Sequence, residues 1–165
     1  MSVRLNPNNI GAQSILLLYK DNTQYSNSGA AGITSLLTWT LPGGTMGPND
    51  SLRITVYYTA TNNANAKNAV ISFGTTSVDI LYNNCASAVC YQGMCIVHNN
   101  NSTSAQKAFQ QYHSSGVPFG ESTNAVVAAS IDTTTDTDIM FRAEGMTASD
   151  NLNLESVMIE LLRAP

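Results

Sequence analysis

Charged side chains are few. Seven basic and eleven acidic residues make up 11% of the 165-residue chain, where ordinary soluble domains carry about 25%. Arg4, Lys20, Arg53, Lys67, Lys107, Arg142 and Arg163 stand singly, and the net charge is −4. Without a basic cluster the chain lacks the electrostatic footprint of a partner for nucleic acid or anionic membrane, and both are excluded. Long apolar runs are missing too. MSVRLNPNNIGAQ holds no signal-peptide core, and SILLLY falls far short of a spanning helix. The chain is therefore expected to stay in the cytoplasm unless it leaves as part of something larger.

Cysteine is scarce and odd in number: Cys85, Cys90 and Cys95. Along a strand an odd spacing puts Cys90 and Cys95 on opposite faces, so the three read as structural thiols. Cys95 and His98 have C-x-x-H spacing, but two further ligands at matching spacing are missing, and no metal or other cofactor is expected.

Signatures of catalysis are absent in the same way. LPGGTMGPND, residues 41–50, is glycine-rich but lacks the Lys-Ser/Thr ending of a phosphate loop, and it reads as a turn. No nucleophile elbow places His98 or His113 beside a serine and a carboxylate. DTTTDTD, residues 132–138, lacks the spacing of a calcium loop and reads as the solvated start of a strand. Nothing sets any two of Glu144, Glu155 and Glu160 at the separation a glycosidase needs. The chain is read as a non-enzyme.

What is present is sheet. Asn, Ser and Thr together make up about a third of the chain, which gives a polar but uncharged surface, the kind that copies of itself or a larger assembly would cover. In SLRITVYYTA, Leu52, Ile54, Val56, Tyr58 and Ala60 alternate with Arg53, Thr55, Tyr57, Thr59 and Thr61, so one face is core and the other is free. The asparagines of TNNANAKN tolerate tight backbone, and this stretch is read as the turn of a hairpin into a strand over 69–74. Further strands are expected over 14–19, 33–41, 76–82, 89–98, 125–131, 138–144 and 152–162. Residues 1–12, with Pro7 among asparagines, read as an extended arm, and 13–165 as a single domain. Residues 99–124 read as a long excursion off the sheet, with SAQKAFQQYH as one or two helical turns. Eight or nine strands and almost no helix indicate an antiparallel, jelly-roll-like β-sandwich.

LNLESVMIELLR is the unusual strand. Leu152, Leu154, Ser156 and Met158 take one face, yet Val157, Ile159 and Leu161 make the other apolar as well. A strand greasy on both sides needs cover on both sides, and Val157, Ile159 and Leu161 are assigned to a seam with another copy. Among the aromatic residues, Tyr57 alternates outward and is the candidate for stacking on a sugar.

The succession LPGGTMGPNDSLRI, TNNANAKN and DNLNLESVMIELL, spread over Ile33 to Leu162, resembles small virion proteins of tailed bacteriophages. The resemblance implies a jelly-roll-like sandwich that forms trimers, on the head surface as a decoration or cement protein or within tail fibres. It implies a structural role on the outer capsid surface, with the major capsid protein as partner and no active site. Under this reading the arm, with Arg4, Leu5 and Pro7, and the loop over 99–122, with Phe109, Tyr112 and Phe119, are assigned to capsid contacts. The alternative is a receptor-binding domain in which Tyr57 and the long loop recognise host-surface glycan. The cysteine-bearing segment 85–95 and the arm depart from the family pattern.

Overall fold

Leu52, Ile54, Val56 and Tyr58 are each at most 1% exposed, and the strand that carries them, β4 (Ser51–Ala60), lies at the centre of the larger of two sheets. Burying one such aliphatic side chain stabilises the fold by roughly 1.5–3 kcal/mol. The computed structural model describes residues 15–27, 29–111 and 126–164. The larger sheet runs β1 (Ile15–Asp21), β11 (Leu152–Leu162), β4, β7 (Cys90–Asn99), β8 (Gln106–Gln111), β9 (Val127–Ala129), with the two-residue β2 (Tyr25–Ser26) also on β11. The smaller runs β3 (Gly32–Leu41), β10 (Thr137–Met146), β5 (Asn68–Phe73), β6 (Asp79–Asn84). Every pairing is antiparallel. The order β1-β11-β4-β7 opposite β3-β10-β5-β6 is that of the two interlocked Greek keys of a jelly roll, and β8 and β9 widen the larger sheet beyond that pattern. The expected all-β sandwich is what forms.

The interior is one apolar cluster in which Ile54, Val56, Val157 and Ile159 of the larger sheet meet Ile71, Phe73, Ile139 and Phe141 of the smaller. Three expectations from the sequence are corrected by how that cluster is built. The first is the seam. Val157, Ile159 and Leu161 are at most 1% exposed inside their own chain, so they are core and not an interface. The cause is a β-bulge: β11 pairs Leu154 with Tyr58 but Ser156 with Tyr57, leaving Glu155 as an extra residue. One extra residue inverts the parity of everything after it. Leu152 and Leu154 before the bulge and Val157, Ile159 and Leu161 after it therefore share one inward face.

The second is the hairpin. β4 and β5 do not pair; they belong to different sheets. Each carries an apolar face that is buried only when the two lie across the core from one another. The connection crosses between layers around Lys67, which is fully buried. Its Nζ donates to Asn63 Oδ1 at 2.7 Å, Asn65 O at 2.8 Å and Asn63 O at 3.2 Å, so all three ammonium hydrogens have acceptors. The third is the helical turn. SAQKAFQQYH supplies β8 instead, because Gln106 and Ala108 are buried while Lys107 and Phe109 are exposed, a period of two. Helix propensity is a weak prior that sheet pairing overrides. The Gln106 side chain then ties the strand down, donating to Asn99 Oδ1 and Ile131 O, both at 2.9 Å, and accepting from Ile131 N at 2.9 Å.

LPGGTMGPND does form a turn. It docks on the loop of DTTTDTD, where a Cβ on Gly43 would fall 2.5 Å from Thr134 O, so glycine is needed for the close approach. On the outer face of the smaller sheet the buried Arg142 links Asp79 and Glu144, each at 2.6 Å, and donates to Ser72 Oγ at 2.6 Å.

The layer crossing also carries a titratable anchor. The Asp150 carboxylate accepts from the Thr147 hydroxyl, from Asn63 Nδ2 at 2.6 Å and from Asn65 Nδ2 at 2.9 Å. These bonds, Thr147's foremost, lower its pKa from 3.8 to about 2. A carboxyl more acidic folded than unfolded stabilises the fold above its unfolded value, and that contribution is lost as pH falls toward the folded one. The urea midpoint is therefore expected to fall between about pH 4 and pH 2. Asp150→Asn, less stable at neutral pH, is expected to show a shallower fall across that window.

Candidate binding surface

With the parity of β11 known, the outer face of the larger sheet can be read row by row. Ile15, Leu162, Ser51, His98 and Lys107 form one row across β1, β11, β4, β7 and β8. Leu17, Glu160, Arg53, Ile96 and Phe109 form the next, and Lys20, Met158, Thr55 and Met94 the third. The two opposite charges in the middle row neutralise each other: Arg53 Nε donates to Glu160 Oε2 at 2.7 Å. The face is thus rich in aliphatic and thioether side chains and poor in net charge.

Apolar exposure is concentrated at one lateral end of these rows. Ile15, Leu16 and Leu17 are 58%, 49% and 53% exposed, and β1 pairs only with β11 among the described residues. Leu16 is opposite the buried Leu161 and so turns inward, yet half of it is uncovered, which means that the sandwich is open along this flank. The edge strand of the other sheet, β3, approaches β1 farther along, where the rings of Tyr19 and Trp39 stack at 5.6 Å. A free strand edge carrying uncovered leucines is a surface that natural sheets otherwise blunt with charge or proline.

The candidate residues from the sequence fare unevenly. Tyr57 does point outward and is 46% exposed, but its neighbours across the sheet are Ser156 and Gln92, and it lies six residues along β7 from His98, roughly 20 Å away. Phe109 is 45% exposed on β8 and stands edge-on to His98 at 5.4 Å. Arg4, Leu5, Pro7, Tyr112, Phe119 and His113 lie outside the described residues. Cys95 is buried and faces the core while His98 is on the outer face, so the C-x-x-H pair is not brought together.

His98 does meet a serine. Its Nδ1 lies 2.6 Å from Ser51 Oγ. Ser51 is only 8% exposed, and the adjacent Asp50 is engaged by Gly47 N at 2.9 Å, Ala164 N at 2.8 Å and Arg163 at 3.2 Å. The arrangement fixes the imidazole. Among the carboxylates, Asp132 accepts from Thr134, Asp136 from Gly43 N and Asp138 from Thr40, each in a separate local bond. Glu155 is held by Gln24 and Thr59 and Glu160 by Arg53, five residues apart on one strand, roughly 17 Å.

Two features escaped the sequence. One is the uncovered flank at β1, for which the signal was SILLLY itself, apolar at consecutive positions. The other is the meeting of His98, Lys107 and Phe109, visible only once β8 is a strand beside β7.

No known protein family matches the chain, and no curated protein does. Solved structures with a loosely similar layout include the CBM2 module of the evolved Dit of Lactobacillus casei BL23 phage J-1, 7% identical, covering 93% of this chain and 98% of that one at a TM-score of 0.45. A Bauhinia forficata lectin in complex with GalNAc is 10% identical over 94% of this chain and 95% of that one, with a TM-score of 0.40. The VP2 subviral particle of infectious bursal disease virus is 10% identical over 98% of this chain and 45% of that one, with a TM-score of 0.32.

The thiols differ in reach. Cys85 and Cys95 are buried and Cys90 is exposed, and burial pushes the thiols of Cys85 and Cys95 up from their ordinary value. A thiol that is buried and protonated reacts slowly. Titration of the native protein with a chromogenic disulfide is expected to release about one equivalent per chain, lost in Cys90→Ser, and all three only after unfolding.

Proposed function

We propose that this chain is a non-catalytic structural component of a bacteriophage particle, a head decoration protein that self-associates, as a trimer, and clamps neighbouring capsid subunits from outside. The observation that carries the reading is the open flank at β1. Ile15, Leu16 and Leu17 are about half exposed on an edge strand that pairs only with β11 among the described residues. Its occupant in this reading is another copy of the chain, which would cover the leucines and the free strand edge together. The low charge of the whole chain and the neutralised Arg53–Glu160 pair keep the electrostatic cost of bringing copies together small. The resemblance of the stretch from Ile33 to Leu162 to small phage virion proteins supports the setting. Weak contacts engaged together would then hold the particle, since linked sites reinforce one another without new chemistry.

Sedimentation equilibrium is expected to give three times the 17.6 kDa mass of the chain. Leu17→Lys, on the exposed face of β1, is expected to weaken association at least tenfold while leaving the thermal midpoint of the dilute chain unchanged, because it places a charge in a desolvated seam. A wild-type chain that stays monomeric at high concentration would overturn self-association. Failure to co-sediment with empty heads would overturn the capsid role.

A further inference from the structure

At the far end of the same rows from β1, roughly 19 Å away across four strand spacings, the outer face sinks into a shallow depression of about 410 Å³. Its wall is the exposed ring of Phe109, held edge-on by His98 at 5.4 Å. His98 is itself fixed through Nδ1 by Ser51, and Nε2 has no partner among the described residues. Asn99 forms the floor, buried and bonded to Gly47 O at 2.9 Å, Thr133 Oγ1 at 3.0 Å and Gln106. The rim is made by Asn49, Asn100 and Asn101, whose side-chain amides are exposed and unbonded among the described residues. The loop that presents the last two is tied by Asn100 N to Ala105 O at 2.8 Å and Ser102 N to Pro48 O at 3.0 Å. Lys107, paired in register with His98, supplies one ammonium that no carboxylate of the lining balances.

We propose that this depression is a binding site for an acidic saccharide, a pyranose bearing a carboxylate. The chemistry matches group by group. An exposed aromatic face takes the C–H face of a sugar ring. Planar amides carry a donor and an acceptor side by side, which suits vicinal hydroxyls. A single uncompensated ammonium favours a carboxylate over a neutral ring, and a neutral polymer would leave it unused. The floor and loop are already bonded in place, so little ordering opposes binding. The site is separate from Tyr57 and from the β1 flank, and it does not depend on self-association.

Isothermal titration of the full chain with trigalacturonate, with maltotriose as the neutral probe and sodium acetate as the bare-carboxylate probe, tests it. Trigalacturonate is expected to bind at least tenfold more tightly than either control. Lys107→Gln and Phe109→Ala, both at exposed positions, are each expected to weaken it tenfold or more, with Tyr57→Ala unchanged. Equal affinity for maltotriose, or no effect of Lys107→Gln, would overturn the acidic specificity. Binding that survives Phe109→Ala, that is lost in Tyr57→Ala, that acetate reproduces, or that is absent altogether, would overturn the site. None of these readouts is the sedimentation mass, so the two proposals fail separately.

Discussion

Two central strands of the larger sheet, β4 and β11, must turn the same side chains to the same core along ten residues of pairing, and only the extra residue at Glu155 lets them do so. Before the bulge Leu152 and Leu154 lie inward; without it Val157, Ile159 and Leu161 would all turn to solvent. Three large aliphatics uncovered at roughly 1.5–3 kcal/mol each would consume most of the stability of an ordinary domain. The bulge also decides the outside. It sends Met158, Glu160 and Leu162 outward, aligns Glu160 with Arg53, and sets the rows on which both the β1 flank and the His98 depression lie. The Glu155 side chain, bonded to Gln24 and Thr59, pins the irregularity where it occurs.

The buried charged side chains at the margins of the sandwich are handled by local enclosure. Lys67 has its three donors taken by its own loop, Asp150 is held by Thr147 and the same asparagines, and Arg142 lies between two carboxylates. A buried charge without such partners would cost several kcal/mol. These clusters sit where the chain changes layer or on the smaller sheet's outer face, so the apolar core between the sheets stays free of charge.

The layered fold was legible because alternation is a local property. Leu52 to Tyr58 and Ile139 to Ala143 announce their faces directly, and the glycines and prolines of 42–48 announce a turn. Non-local features were not. Nothing within DNLNLESVMIELL marks Glu155 as supernumerary, and the error of one residue moved three core side chains to a supposed interface. The partner of β5 could not be read from TNNANAKN, since a seven-residue connection serves a hairpin or a layer crossing equally well. Gln106 to Gln111 has helix-favouring composition, and only the free edge of β7 makes it a strand. The binding candidates follow the same rule: Tyr57 was placed correctly by its own alternation, whereas the company of His98 depends on two strands meeting.

The enclosure of Lys67 has a practical side. Of the three lysines, Lys20 and Lys107 stand in solvent, while the ammonium of Lys67 is sealed beneath its own loop. Amine-directed dyes or cross-linkers would decorate opposite margins of the larger sheet and pass over the layer crossing, so the chain could be tagged for imaging without disturbing the joint that holds its two halves together.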